Sequence, residues 1–159
     1  MRVLFLGKGN DCRTLLAETV FNHLAPPGCK AQRASCDRVC PPDPGAFALL
    51  ATQGIRPRTP AAASERTFDD DDDVLITVCS ASAGQTCPCC RGQALRAHWG
   101  IHAPSRRKRL SQDRDAELLD IYHILRVRIE RFLELIEAGI EADRTRLRDE
   151  LARIGCHLP

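Results

Sequence analysis

The chain has 159 residues, a formal net charge of +2 with both signs interspersed, and only 4 % aromatic residues. That length supports one domain with a proper core, and so even a charge balance argues against nucleic acid as the main partner, which needs a basic stripe or face. With aromatics scarce, the core is expected to be Leu, Ile, Val and Ala.

No stretch approaches the roughly 18 apolar residues of a membrane span. The opening Met1–Leu6 is too short for a secretory h-region. The expectation is a cytoplasmic protein with no membrane association. There the nine cysteines should rest mostly reduced, so clustered ones point to metal, metalloid or redox chemistry before a disulfide framework.

In chain order, Arg2–Leu6 reads as a buried strand around Val3-Leu4-Phe5-Leu6. A tight loop with Gly7 and Gly9 follows. A helix, Arg13–Leu24, carries Leu15, Leu16, Val20 and Leu24 at helical spacing, and Pro26-Pro27-Gly28 breaks it. Cys29–Ser35 is a weakly patterned second strand, and Cys36–Pro44 a loop holding Cys36 and Cys40. Gly45–Gln53 is a second helix with Gly54 as its C-cap. Ser64–Phe68 reads as the start of a short helical turn. The aspartates Asp69–Asp73 read as a solvated turn rather than a metal site, because like charges this dense repel.

Val74–Cys79, "VLITVC", is the clearest strand, and Ser80–Gly92 is a loop bearing Cys87, Cys89 and Cys90. Leu95–Ile101 is the fourth strand. His102–Gln112 is a polar loop whose basic run Arg106–Arg109 reads as solvated. Asp113–Ala138 is a long amphipathic helix on Leu118, Ile121, Leu125, Ile129, Phe132 and Ile136. After Gly139, Glu141–Arg153 reads as a last, charged helix.

Strands alternating with helices predict a parallel sheet with helices on both faces. Ligands then bind at the carboxyl ends of the strands. Those ends are the Gly7–Arg13, Cys36–Cys40, Cys79–Cys90 and His102–Pro104 loops, and cysteines occupy three of the four. The first loop has the makings of an anion cradle, because a helix N-terminus and successive backbone N–H groups converge there.

The order of these motifs resembles the low-molecular-weight tyrosine phosphatase superfamily, and within it the thioredoxin-coupled arsenate reductase branch. That family opens with a strand, a cysteine, five residues, Arg-[Ser/Thr], and a helix continuing into Ala-Glu. Gly9-Asn10, Cys12-Arg13-Thr14 and Ala17-Glu18 match it; so do "FNHLAPPG" (Phe21–Gly28), "VLITVC" with Cys87-Pro88, and "HWG" (His98–Gly100). The resemblance covers residues 1–138, with 139–159 as an additional helical tail. It implies a three-layer α/β sandwich around a four-stranded parallel sheet, an ancestral activity of arsenate reduction or phosphomonoester hydrolysis, and a link to arsenic resistance. In such a loop the amides and the arginine hold an oxyanion, and the same field stabilises an attacking thiolate. Here Lys8, Gly9, Asn10, Asp11, Cys12, Arg13 and Thr14 would form the cradle for phosphate, sulfate or arsenate. Cys79 and Cys87 match the cysteines that pass a disulfide on to thioredoxin.

The departures are chemical. Gly7 stands where the family has its nucleophile, and Ala103-Pro104 where it has the Asp-Pro acid. Asp11 adds a negative charge to a loop meant for anions, partly offset by Lys8. Cys79 and Cys87 are one residue further apart than usual. The leading expectation is a diverged member that binds rather than catalyses, with no cofactor required. It would hold an oxyanion in the cradle, or a soft metal or metalloid ion on thiolates among Cys36, Cys40, Cys87, Cys89 and Cys90. The alternative is a thiol-dependent enzyme using Cys12, Cys79 or Cys87. Cys12 otherwise reads as an inward packing residue, and Arg13 as a loop brace. His98 and Trp99 read as packing residues, Glu18 as a structural hydrogen-bonding group, and His102 as a minor candidate for the missing proton donor.

Overall fold

The computed structural model describes residues 1–7, 12–35, 43–57, 73–79, 93–104 and 111–157. Strand β1 is Arg2–Gly7 and β2 Lys30–Ser35, followed by β3 at Val74–Cys79 and β4 at Leu95–Ile101. They form one all-parallel sheet in the order β2-β1-β3-β4. The register sets Gly7 beside Ser35, and Leu6 beside both Ala34 and Thr77. Helices α1 (Cys12–Leu24), α2 (Pro44–Thr52), α3 (Ser111–Glu137) and α4 (Arg144–His157) complete the three-layer α/β fold.

The apolar run of β1 is buried on both faces, as expected of a central parallel strand. Val3 and Phe5 join the larger core cluster, to which all four helices contribute. Leu4 and Leu6 meet Ala34 and Leu75 in a smaller cluster on the other face. Strand β2 lies at the edge, and its exposed Lys30 and Gln32 explain its weak pattern.

The centre of the core is more aromatic than the composition suggests. Phe21, Phe5, Trp99 and Phe132 touch in sequence, with ring centroids 6.1, 6.2 and 6.2 Å apart, and Phe132 returns to Phe21 at 5.8 Å. A few large rings bury more area each than the aliphatics around them, so scarcity does not keep them from the middle.

Helix boundaries differ from the sequence reading where caps decide them. Helix α2 starts at Pro44 because Asp43 caps it, accepting from the Gly45 N–H at 2.9 Å, and proline fits the first helical position. Asp43 also pairs with Arg114 in the first turn of α3. The C-cap of α2 is Gln53 rather than Gly54, and Gly54, one residue beyond, takes the left-handed φ of 71° that turns the chain away from the helix. The last helix does not start at Glu141. Gly139, at φ 72°, ends α3, a 3-10 turn covers Ile140–Ala142, and extended Asp143 caps α4 by accepting from Arg146 N–H at 3.0 Å.

Helix α4 looks charged, yet Leu147, Leu151 and Ile154 recur on one face and are buried in the main cluster. They lay α4 along β4, where Trp99 Nε1 donates to the Leu151 carbonyl at 3.0 Å. Gly155 makes the approach sterically feasible, since a Cβ there would lie 2.2 Å from the His98 carbonyl oxygen. The expected turn at Ser64–Phe68 and the loops holding Cys36, Cys40, Cys87, Cys89 and Cys90 lie outside the described residues.

Candidate functional site

The carboxyl ends of the four strands meet the N-terminus of α1 at one edge of the sheet. Strand order reverses between β1 and β3, since β1 leads outward to β2 and β3 leads the other way to β4. Such a switch point is where parallel sheets open a crevice for ligands. Gly7 ends β1 there, and α1 starts at Cys12. Lys8, Gly9, Asn10 and Asp11 between them lie outside the described residues.

Gly7 itself is strand. The described glycines with left-handed φ are Gly28, Gly54 and Gly139. The backbone at position 7 therefore does not demand glycine, and a cysteine would fit its conformation.

Cys12, Arg13 and Thr14 are all buried, with 3 %, 5 % and 3 % of their surfaces exposed. Cys12 belongs to the main apolar cluster. Arg13 Nη1 donates to the carbonyl of Ile101, the last residue of β4. That bond ties Arg13 to the strand that leads into His102 and Ala103.

Cys79 ends β3 and is 2 % exposed. Its ladder partner is Ile101, with an irregularity between Thr77 and Cys79 that absorbs one extra residue of β4. His102 and Ala103 are exposed. The structure therefore places Arg13, Cys79 and Ile101 together at the carboxyl ends of β3 and β4.

His98 differs most from its sequence reading as a packing residue. It is half-buried on the face of β4 opposite Trp99, and its Nδ1 shares a 2.7 Å hydrogen bond with Thr77 Oγ1. Its ring lies over Gly100, where a Cβ would stand 2.7 Å from Nε2. Burial pushes the His98 pKa below the ordinary histidine value of 6.5, and the Arg128 guanidinium adds to the effect. Two signals in the sequence pointed this way. Thr77 is a hydroxyl inside an apolar strand, and Gly100 is a glycine inside a strand, which marks a close approach.

Glu18 pairs with Arg33 of β2 at 3.3 Å. Its carboxyl is pushed above the usual range by burial, which outweighs the opposing pull of Arg33. The pair bridges α1 and β2 behind the cradle. Among the described residues, no group of three His, Cys, Asp or Glu side chains is placed to hold a metal ion. No described helix is long and apolar enough to cross a membrane.

A four-stranded parallel sheet covered by helices, with Arg13 in the first turn of the helix that follows β1, defines a three-layer α/β protein. The family model described as low molecular weight phosphotyrosine protein phosphatase matches residues 2–152, and the chain belongs to that family. The match runs into α4. No curated protein matches the chain by sequence. Among solved structures, arsenate reductase from Archaeoglobus fulgidus is 24 % identical with a TM-score of 0.59, covering 80 % of this chain and 98 % of its own. An arsenate reductase in the phosphate binding state is 22 % identical with a TM-score of 0.63, covering 87 % and 98 %. A low molecular weight phosphotyrosine phosphatase from Vibrio cholerae O395 is 18 % identical with a TM-score of 0.62, covering 90 % and 99 %. At these identities the likeness is one of fold.

Proposed function

We propose that this protein is a diverged member of its family that binds a small tetrahedral oxyanion, phosphate, sulfate or arsenate, in the Lys8–Thr14 loop and does not turn it over by the family's route. The observation that carries this reading is the pairing of a retained Arg13 at the start of α1 with a side-chain-less Gly7 at the end of β1. A covalent intermediate needs a nucleophile on the residue after the strand, and glycine offers none. Ala103 likewise has no proton to give a leaving oxygen. The helix N-terminus, the loop amides and Arg13 need neither group in order to bind. Losing a thiolate also removes a negative charge from the cradle, which favours an anionic ligand.

Calorimetric titration with inorganic phosphate and arsenate tests the proposal. Saturable binding is expected, weakened about tenfold or more by Arg13→Met, the range for a charge-assisted hydrogen bond. Binding indifferent to Arg13→Met, or steady hydrolysis of p-nitrophenyl phosphate by the unaltered protein, would sink it. Gly7→Cys then asks whether the cradle retains its catalytic field. Turnover in that variant alone would place the whole deficit in one sulfur atom.

A second reading keeps thiol chemistry, and the position of Cys79 at the carboxyl end of β3 beside Ile101 favours it. Cys79 would work with Cys87 in thioredoxin-coupled arsenate reduction, or the loop thiols would capture a soft metal or metalloid. Arsenate-dependent NADPH consumption with thioredoxin and its reductase, lost in Cys79→Ser, is its signature. Cys12 fits this chemistry less well, because a thiol packed in the apolar core is badly placed to attack.

A further inference from the structure

The imidazole of His98 is held in an orientation that the oxyanion reading does not use. Thr77 Oγ1 lies 2.7 Å from its Nδ1 and also donates to the Ala97 carbonyl at 3.4 Å. A hydroxyl has one hydrogen to give. With that hydrogen directed at Ala97, the bond to the ring runs the other way, and Nδ1–H donates to Thr77. The neutral ring then carries its lone pair on Nε2. Burial lowers the His98 pKa from 6.5 and the Arg128 guanidinium lowers it further, so the ring is neutral at neutral pH. Arg96, two residues back on the same face of β4, is also a cation.

Nε2 is the end of the ring that lies over Gly100, 2.7 Å from where a Cβ would stand. The lone pair is therefore carried toward the carboxyl end of β4. Cys79 ends the neighbouring strand β3, level with Ile101. Side chains alternate along β3: Val74, Ile76 and Val78 enter the main cluster, and Leu75 the smaller cluster on the opposite face. Thr77 and Cys79 continue the Leu75 face, and the bond between Thr77 and His98 shows that His98 and Gly100 share it on β4. The ring edge and Cys79 are thus separated by one inter-strand gap, about 4.8 Å between backbones.

We infer that His98 is the base for the Cys79 thiol, with Thr77 as the positioning residue that fixes its tautomer. The inference rests on the thiol reading of Cys79 and supplies the adjacent base, oriented by a third group, that activates a cysteine. Cys79 has an interaction partner of its own in the resting fold, so the proton transfer belongs to the attacking step. As Sγ bonds to one sulfur of a target disulfide, its proton passes to Nε2. The old S–S bond breaks, the second sulfur leaves as a thiolate, and the imidazolium returns the proton to it.

The test is the rate at which the reduced full chain reacts with methyl methanethiosulfonate, a small sulfur electrophile, across about pH 5–9. Peptide mass spectrometry reads Cys79 separately, and half-buried Cys29, just before β2, is the internal reference. The Cys79 rate should rise through a step below pH 6.5, as the ring loses its proton. His98→Gln should remove that step and slow Cys79 about a hundredfold at neutral pH. Thr77→Val should slow it less, and neither change should move Cys29. A Cys79 rate that His98→Gln leaves unchanged overturns the inference and leaves the thiol reading standing. A Cys79 that stays unlabelled in the folded chain while Cys29 reacts removes the thiol reading and the inference with it. If His98→Gln does not fold, the ring-nitrogen spectrum of the unaltered chain decides: a protonated Nδ1 and a bare Nε2 are expected at neutral pH, and the opposite tautomer overturns the inference.

Discussion

Trp99 and His98 are neighbours in the chain and point to opposite faces of β4. Trp99 is fully buried, packed against Phe5 and Phe132, and donates its indole N–H to the Leu151 carbonyl. His98 is held by one hydrogen bond to Thr77 and by the missing methyl of Gly100. One face is positioned by area and shape, the other by a single polar contact and a gap. The first arrangement is costly to change and chemically silent. The second is cheap to change and leaves a titratable ring three residues from the carboxyl end of β4.

The contrast sharpens under substitution, beginning with the dry face. Trp99→Ala should destabilise by about 3–5 kcal/mol, the range for removing a large buried ring, measured by chemical denaturation. A loss under about 1 kcal/mol would mean that the aromatic chain through Phe5, Phe21 and Phe132 is not the keystone of the core. Gly155→Val comes next. Its Cβ would meet the His98 carbonyl at 2.2 Å and Trp99 Cδ1 at 2.8 Å, so α4 must lift from β4 at a cost of about 1–3 kcal/mol.

On the polar face the effects are smaller. Thr77→Val should cost about 0.5–1.5 kcal/mol, one hydrogen bond's net value, and should alter the ring-nitrogen spectrum of His98 without moving that of His102. The pH response follows from the lowered His98 pKa. The folded state binds its proton less readily than the unfolded state, so this contribution to stability is intact above the unfolded value of 6.5. It is lost as pH falls from there through the folded pKa. His98→Gln should flatten that slope. A slope unchanged by His98→Gln would assign the acid sensitivity to another group. The smallest effect is expected at the exposed Arg126–Glu130 pair on α3, 2.8 Å apart. Glu130→Ala should change stability by about 0.5 kcal/mol or less.

Much of the scaffold was legible because it depends on local rules. Val74–Cys79 and Leu95–Ile101 were delimited by their own apolar runs and flanks, and the carboxyl-end placement of the loops followed from strand–helix alternation. Helix ends were less legible. The caps of α2 and α4 are made by Asp43 and Asp143, and aspartate is also an ordinary loop residue; only the bonds from Gly45 and Arg146 N–H in the folded chain show which role it plays. Helix α4 was underrated because three apolar residues among many charges bury a face only if a partner strand is there to meet it. At the site, the identities of Gly7 and Ala103 could be read directly. The bond from Arg13 to Ile101 could not, because it joins residues 88 positions apart.

What the sequence determined by itself is the family's order of strands and helices and the identities of Gly7, Arg13 and Ala103. Those are properties of single residues and of their spacing along the chain. Tertiary structure alone decided that Arg13 reaches Ile101, that Glu18 is burdened by burial despite Arg33, that His98 is an oriented imidazole rather than filler, and that α3 lines a cavity at the end of β4. The physical reason is common to all four. Desolvation, hydrogen-bond geometry and empty volume belong to pairs of surfaces, and those pairs exist only once the sheet has brought distant segments together.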